Sequence, residues 1–292
     1  MRLSTPKSIS RWQRLAGNRR LLLSCLLLFI ISAILSFWTF FPAEVVQRRL
    51  VQEVSHQSGL QMTSTNSSLL FPLGIEMDLK IIPQVAEMNP LELQKLQVTP
   101  AWSTLFSKSP AIDLQGGLAG GDFSGQADRY GNVQLEFNGI DVGLLENDAL
   151  PYRVTGQLQG RLNGEQLSSL QNGKCDFDLR LSAANVLGLE RFGLGENFSL
   201  GKLEVQGKFH QQRLNLERVS MTDGLIEMSG GGNLLIGGSP QKTRLNLNIR
   251  LHPTQKSPQA LRDLLSMTGA EPTADGSYLL RIGGTLARPA IR

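Results

Sequence analysis

Three histidines, a pair of carboxylates two residues apart, two cysteines and several glycine clusters are the residues of this chain that could do chemistry. His56, His210 and His252 are the imidazoles available for a zinc site or for general acid-base work, and they lie far apart in sequence, with no H-E-x-x-H spacing to place two on one helical turn. Asp176 and Asp178 fall on the same face of a strand, but two carboxylates without further oxygen ligands make a poor cation site, so a solvated face is expected for them. Gly116-Gly117, Gly120-Gly121 and Gly230 to Gly232 lack the Lys-Ser/Thr of a phosphate loop and do not complete a dinucleotide fingerprint. Ser124 lies in Asp122-Phe123-Ser124-Gly125, which is not a Gly-x-Ser-x-Gly elbow. These patterns predict strand bends and turns, no catalytic residues, no metal and no cofactor, and hence a protein that is not an enzyme.

The element with the strongest signal precedes all of these groups. Leu21 to Phe41 holds no charged side chain, and a helix of that length spans roughly 30 Å, the thickness of the hydrocarbon core of a bilayer. Leu21, Leu28, Phe29, Ile30, Ile34, Trp38 and Phe41 are its candidate anchor residues. A cleaved signal peptide usually has an apolar region of about 7 to 15 residues ending in small side chains, whereas this run ends in Phe37, Trp38, Phe40 and Phe41. That aromatic belt favours an uncleaved transmembrane helix.

Flanking charge orients it. Arg2, Lys7, Arg11, Arg14, Arg19 and Arg20 precede the helix with no acidic residue among them, while Glu44, Arg48, Arg49 and Glu53 nearly balance after it. The positive-inside rule then keeps residues 1–20 as a cytoplasmic basic tail and puts the rest across the inner membrane, in the periplasm of a Gram-negative cell. The tail also accounts for the net charge of +4: removing its six cations from the 29 Lys and Arg leaves 23 against 25 acids, a balance of −2. The exported part has no basic footprint, and nucleic acid is excluded as a partner. Cys25 lies in the membrane helix and Cys175 in the exported region, so the two are not expected to pair; Cys175 is expected as an apolar filler.

After the membrane, Val45, Val46, Leu50 and Val54 recur at near-helical spacing among Arg48, Arg49 and Glu53, which predicts an amphipathic helix over 42–59. From residue 60 to 292 the period becomes two. Ile75, Met77, Leu79 and Ile81 alternate with Glu76, Asp78 and Lys80, and the pattern returns at Ile112 to Leu118, at Phe123 and Ala127, and at Val133 to Phe137. Tyr152 to Gly164 alternates without a break, and Cys175, Phe177, Leu179, Leu181 and Ala183 continue the series. Leu203 to Phe209, Leu214 with Leu216, Leu225 to Gly231, Asn233 to Ile236, Leu245 to Leu251 and Tyr278 to Ile282 complete ten or more predicted strands. Asp223-Gly224 and Asp275-Gly276 are turn signals between them. One helix interrupts, with Ser257 as N-cap, Pro258 in the first turn, Leu261, Leu264 and Leu265 on one face and Gly269 as terminator.

Short connections cannot carry parallel crossovers, so the sheet is expected to be antiparallel, with one dry face. Glycine within the strands predicts curvature. The fold class is therefore mainly β: one N-terminal transmembrane helix, then a long curved antiparallel sheet with a few short helices. Val154, Leu158, Leu162, Phe177, Leu179 and Leu181 form a candidate apolar groove, although alternation fits one open sheet or two packed ones equally.

Phe41-Pro42-Ala43-Glu44, Ser58-Gly59-Leu60, Leu96-Gln97-Val98-Thr99-Pro100 with Leu105, and Leu114 to Gly121 resemble protein N of the bacterial type II secretion system. Asp223-Gly224, Asp275-Gly276-Ser277-Tyr278 and Gly283 to Pro289 extend the resemblance along nearly the whole chain. The resemblance implies a bitopic inner-membrane accessory of the export machine, similar in its periplasmic part to AsmA-like envelope proteins, whose curved sheets hold lipid chains in an apolar trough. The expected partners are thus the membrane, other secretion-system or envelope proteins and, in the alternative reading, lipid.

Overall fold

A computed structural model describes residues 61–71, 73–82, 89–104, 106–145, 152–167, 172–237, 239–267, 270 and 272–291, together with 23–29, 31, 32, 36, 45, 48, 49, 51, 52 and 55. The chain divides into two compact units, 1–46 and 47–292. In the first, the described residues are helical, and Leu28 and Phe29 are 69% and 71% exposed. Leu21, Ile30, Ile34, Trp38 and Phe41 lie outside the described residues. Among the described residues no helix is long and apolar enough to cross a membrane. The amphipathic helix expected over 42–59 is represented by 45, 48, 49, 51, 52 and 55, all helical.

The second unit is built on one sheet. Its strands are β1 (Gln61–Leu70), β2 (Gly74–Ile82), β3 (Leu91–Pro100), β4 (Ala111–Leu118), β5 (Gly121–Asp128), β6 (Val133–Asp141) and β7 (Arg153–Glu165). They continue as β8 (Lys174–Leu187), β9 (Asn197–His210), β10 (Arg213–Thr222), β11 (Ile226–Leu235), β12 (Arg244–Pro253), β13 (Tyr278–Thr285) and β14 (Arg288–Ile291). Spatial order equals sequence order through all 14 strands, and every neighbouring pair is antiparallel. This is a meander, the arrangement that short connections dictate.

The predicted strands are present, and the structure adds three. β1, with sequence Gln-Met-Thr-Ser-Thr-Asn-Ser-Ser-Leu-Leu, lacks the large apolar residues that make alternation visible. β3 carries Leu91 and Leu93 on one parity and Leu96 and Val98 on the other, because the register slips between Gln94 and Gln97 and Lys95 adopts φ 47°. A bulge inserts one residue, so the period resumes out of phase. β14 is only four residues long. Leu225 to Gly231 and Asn233 to Ile236, expected as two strands, form the single β11, since Gly232 continues the ladder at φ 151° opposite Leu216 and Leu247.

Helix α1 (Gln259–Met267) covers one end of the apolar face. Leu261 and Leu265 are buried against Phe198, Met221, Ile226 and Tyr278, from β9, β10, β11 and β13, with Met228 and Leu251 packed around them. Burial of each leucine contributes roughly 1.5 to 3 kcal/mol. Ser257, expected to cap this helix, instead donates its hydroxyl to the Leu225 carbonyl, which also accepts from the Thr254 hydroxyl at 2.9 Å and the Thr254 amide at 3.1 Å. The carbonyl thus ties the helix entrance to the turn before β11. Gly269 lies outside the described residues.

The Asp275-Gly276 turn is held in the same side-chain manner. Asp275 accepts hydrogen bonds from the hydroxyls of Thr273 and Ser277 and from the Ser277 amide, which hold its carboxyl well below the usual carboxylate range.

Candidate functional site

Register converts the alternation of single strands into rows that cross the whole sheet. One row runs from Leu69 on β1 through Ile75, Val98, Leu114, Gly125, Leu135 and Leu162 to Phe177 on β8. It continues through Gly207, Leu216, Gly232, Leu247 and Ile282 to Ile291 on β14, without one polar side chain. A second row passes from Phe123 and Phe137 through Gly160, Leu179, Val205, Val219, Gly230 and Ile249 to Leu280. A third crosses from Ile140 through Leu158, Leu181, Leu203, Met221, Met228 and Leu251 to Tyr278, where α1 covers it.

Five of the six predicted groove residues lie on these rows, and Val154 lies beyond their end on β7. Leu162 faces Phe177, Leu158 faces Leu181, Leu179 faces Gly160, and Val154 faces Val186 beyond a register shift. Leu181 is buried, whereas Val154, Leu158, Leu162, Phe177 and Leu179 are half-buried. Glycine explains how a single layer shields them. A Cβ on Gly207 would lie 2.6 Å from the Phe177 ring, and one on Gly160 would lie 2.8 Å from a Leu179 methyl. Those side chains therefore lie down over the neighbouring backbone instead of standing up toward a second layer.

Cys175 sits on this face between Gly164 and Phe209, half-buried and unbonded to another cysteine. Burial first, and the Asp176 charge second, push its thiol above the ordinary value, which keeps it protonated and unreactive at neutral pH. It fills space, as its sequence context implies.

The opposite face is polar and carries what sequence reasoning undervalued. Asp178, expected on a solvated face, has only 18% of its side chain exposed. Its Oδ2 lies 3.6 Å from Arg180 and 4.0 Å from Arg161, and accepts from the Gln206 amide at 3.4 Å. Arg180 in turn lies 3.9 Å from Glu204. Arg161 and Gln206 come from β7 and β9, the strands on either side of β8, so only the register puts them around Asp178. The i, i+2 spacing with Arg180 and Asp176 was the sole sequence signal.

His210 ends β9 and His252 lies near the end of β12, on separate elements, while His56 lies outside the described residues. Among the described residues no group of three or more His, Cys, Asp or Glu side chains could hold a metal ion. Gly116, Gly117 and Gly121 belong to β4 and β5, and Gly230 to Gly232 to β11, so these glycines are ladder positions and not phosphate loops.

Residues 82–281, from the last residue of β2 into β13, match the family described as type II secretion system (T2SS), protein N. The chain belongs to that family. The match covers more than half of the sequence and falls almost entirely on the strands whose rows are described above. Comparison with curated proteins and with solved structures finds no match in either. Membership makes the chain a component of the type II secretion system.

Proposed function

We propose that this protein N family member is a non-enzymatic accessory of type II secretion, held in the inner membrane by Leu21 to Phe41 with its N-terminus cytoplasmic, whose periplasmic sheet binds other components of the machine. The observation that carries this reading is where the family match falls. The match spans the sheet from the end of β2 into β13, over 82–281, and no group of three or more His, Cys, Asp or Glu side chains that could hold a metal accompanies it among the described residues. A sheet of this kind can act through its surfaces and edges. β14 is short and interrupted by Pro289, which blunts that edge, whereas β1 offers ten residues paired on one side to β2. Strand addition at β1 is the binding mode such an edge supports.

Cross-linking and affinity recovery of the full chain from membranes tests this. Other secretion-system proteins are expected to co-purify, and deletion of the gene is expected to lower export; recovery of none of them together with unchanged export overturns the reading.

A second reading, an envelope lipid-binding or lipid-transfer protein, is favoured by one specific observation, the half-buried apolar rows, the longest of which runs from β1 to β14. Acyl chains need an extended dry surface, and these rows offer one about thirteen strand spacings across. Native mass spectrometry of the full chain supports it if discrete lipid masses stay bound through detergent removal, and a lipid-free spectrum removes it.

A further inference from the structure

Between β3 and β8 the polar face alternates with the apolar one and obeys the same register. Gln97, Gln115, Ser124, Glu136, Arg161 and Asp178 stand opposite one another, strand by strand, in one unbroken row. Five spacings of about 4.8 Å make that row roughly 24 Å long. It lines a cavity of about 1030 Å³ that Gln94, Asn138, Gln159 and Arg180 also border.

We propose that this cavity is a binding groove for a neutral glycan, with the Gln97 to Asp178 row as its floor. The proposal is independent of the secretion role and of the apolar face.

Charge argues for neutrality. Lys95, Arg161 and Arg180 line the cavity together with Asp122, Glu136 and Asp178, three cations against three anions. An anionic ligand would meet three carboxylates, and a cationic one would meet the lysine and both guanidiniums. A polyhydroxylated neutral molecule uses all of them, because each hydroxyl both donates and accepts. Amide side chains suit the same task, since Gln and Asn present a donor and an acceptor side by side.

Hydrogen-bonding capacity is also left over. The Arg161 and Arg180 contacts with Asp178, at 4.0 and 3.6 Å, are much longer than the 2.7–2.9 Å of a tight charge-assisted bond. Both guanidiniums are more than half exposed. Asp178 Oδ1 is buried and receives no donor from the described residues. An acceptor in that condition is costly, so the cluster gains when a ligand rearranges the loose guanidiniums around it.

An extended peptide fits less well. Its main chain would need backbone partners, and in the middle of the sheet those groups are committed to the ladders between β3 and β8. Only side chains remain available here, and side chains can satisfy glycan hydroxyls without backbone partners.

The test is titration calorimetry on the full chain, kept in a detergent without a sugar headgroup, with maltopentaose, cellopentaose and chitopentaose as probes. At least one of the three is expected to bind saturably, and Arg161→Ala and Gln115→Ala are each expected to weaken it by about tenfold, the effect of losing one or two well-placed hydrogen bonds. Lys256→Ala, an exposed residue outside the cavity, is expected to leave binding unchanged. Thermal unfolding of each variant separates loss of binding from loss of fold, and Gln115→Ala, an exposed side chain, keeps the fold if Arg161→Ala does not. Absence of saturable binding by all three oligosaccharides at millimolar concentration overturns the proposal. So does binding indifferent to both cavity variants, or binding of citrate without any oligosaccharide, which would make this an anion site.

Discussion

Valine in place of Gly201 is expected to destabilise the sheet by roughly 2 to 5 kcal/mol, combining about 1–2 for left-handed backbone at an L-residue with about 1–3 for overpacking. Gly201 lies in β9 at φ 73°, opposite Ala184, where the register with β8 shifts on both sides. A Cβ there would fall 2.2 Å from the Thr222 carbonyl oxygen and 2.5 Å from the Asp223 carbonyl carbon. Both obstacles are backbone, at the last residue of β10 and the first of the turn into β11, so no rotamer change relieves them. Gly195→Ala provides the comparison, because Gly195 has φ 82° but nothing within 4 Å of its Cβ position. It should lose only the left-handed term. Urea unfolding of the two variants checks the difference; equal losses would show that the turn at Asp223 yields and that the close approach is not what fixes it.

Truncating Leu265 to alanine is expected to cost about 2–5 kcal/mol, the range for large-to-small changes at buried positions. Leu265 is 7% exposed and packs with Leu261 against Phe198, Met221, Ile226 and Tyr278. The loss should be read on two instruments. The denaturation midpoint falls, and binding of an apolar dye rises, because α1 is what covers the Met221 to Tyr278 end of the third apolar row. Met267→Ala on the same helix, at 82% exposure, should stay within about 0.5 kcal/mol of the parent. If dye binding does not change in Leu265→Ala while stability falls, α1 remains docked and the helix is not the lid of that row.

These two sites differ in how far they could be foreseen. Leu261, Leu264 and Leu265 announce an amphipathic helix by spacing alone, and its existence follows from the local pattern. Gly201 announces nothing, because its need for glycine comes from a turn more than twenty residues later in sequence. The same division holds for the face residues. Val154, Leu158 and Leu162 are dry by parity within one strand, a property of the pleat. Asp178 has the same local credentials as an exposed strand carboxylate and becomes mostly buried only through Arg161 on β7 and Gln206 on β9.

Bulges mark the boundary between the two kinds of information. Lys95 on β3, Gly139 on β6 and Ala183 on β8 each adopt positive φ, and at each the register shifts. Along the sequence such a residue reads as noise in the period. In the sheet it bends the strand and keeps the rows apolar on both sides of the slip.

By itself, then, the amino-acid order determined a mainly β protein with antiparallel pairing, one dry face, a helix near residue 260, the Asp223-Gly224 turn and its place in the protein N family, because period, turn chemistry and composition are local. Only the tertiary structure decided that 14 strands form one sheet in sequence order, that one dry row passes unbroken from β1 to β14, and that the polar residues of β3 to β8 line a common cavity. The reason is physical: a strand carries its facing pattern in its own residues, but which residue stands opposite which is set jointly by two chains of backbone hydrogen bonds, and a single bulge on either one changes every pairing beyond it.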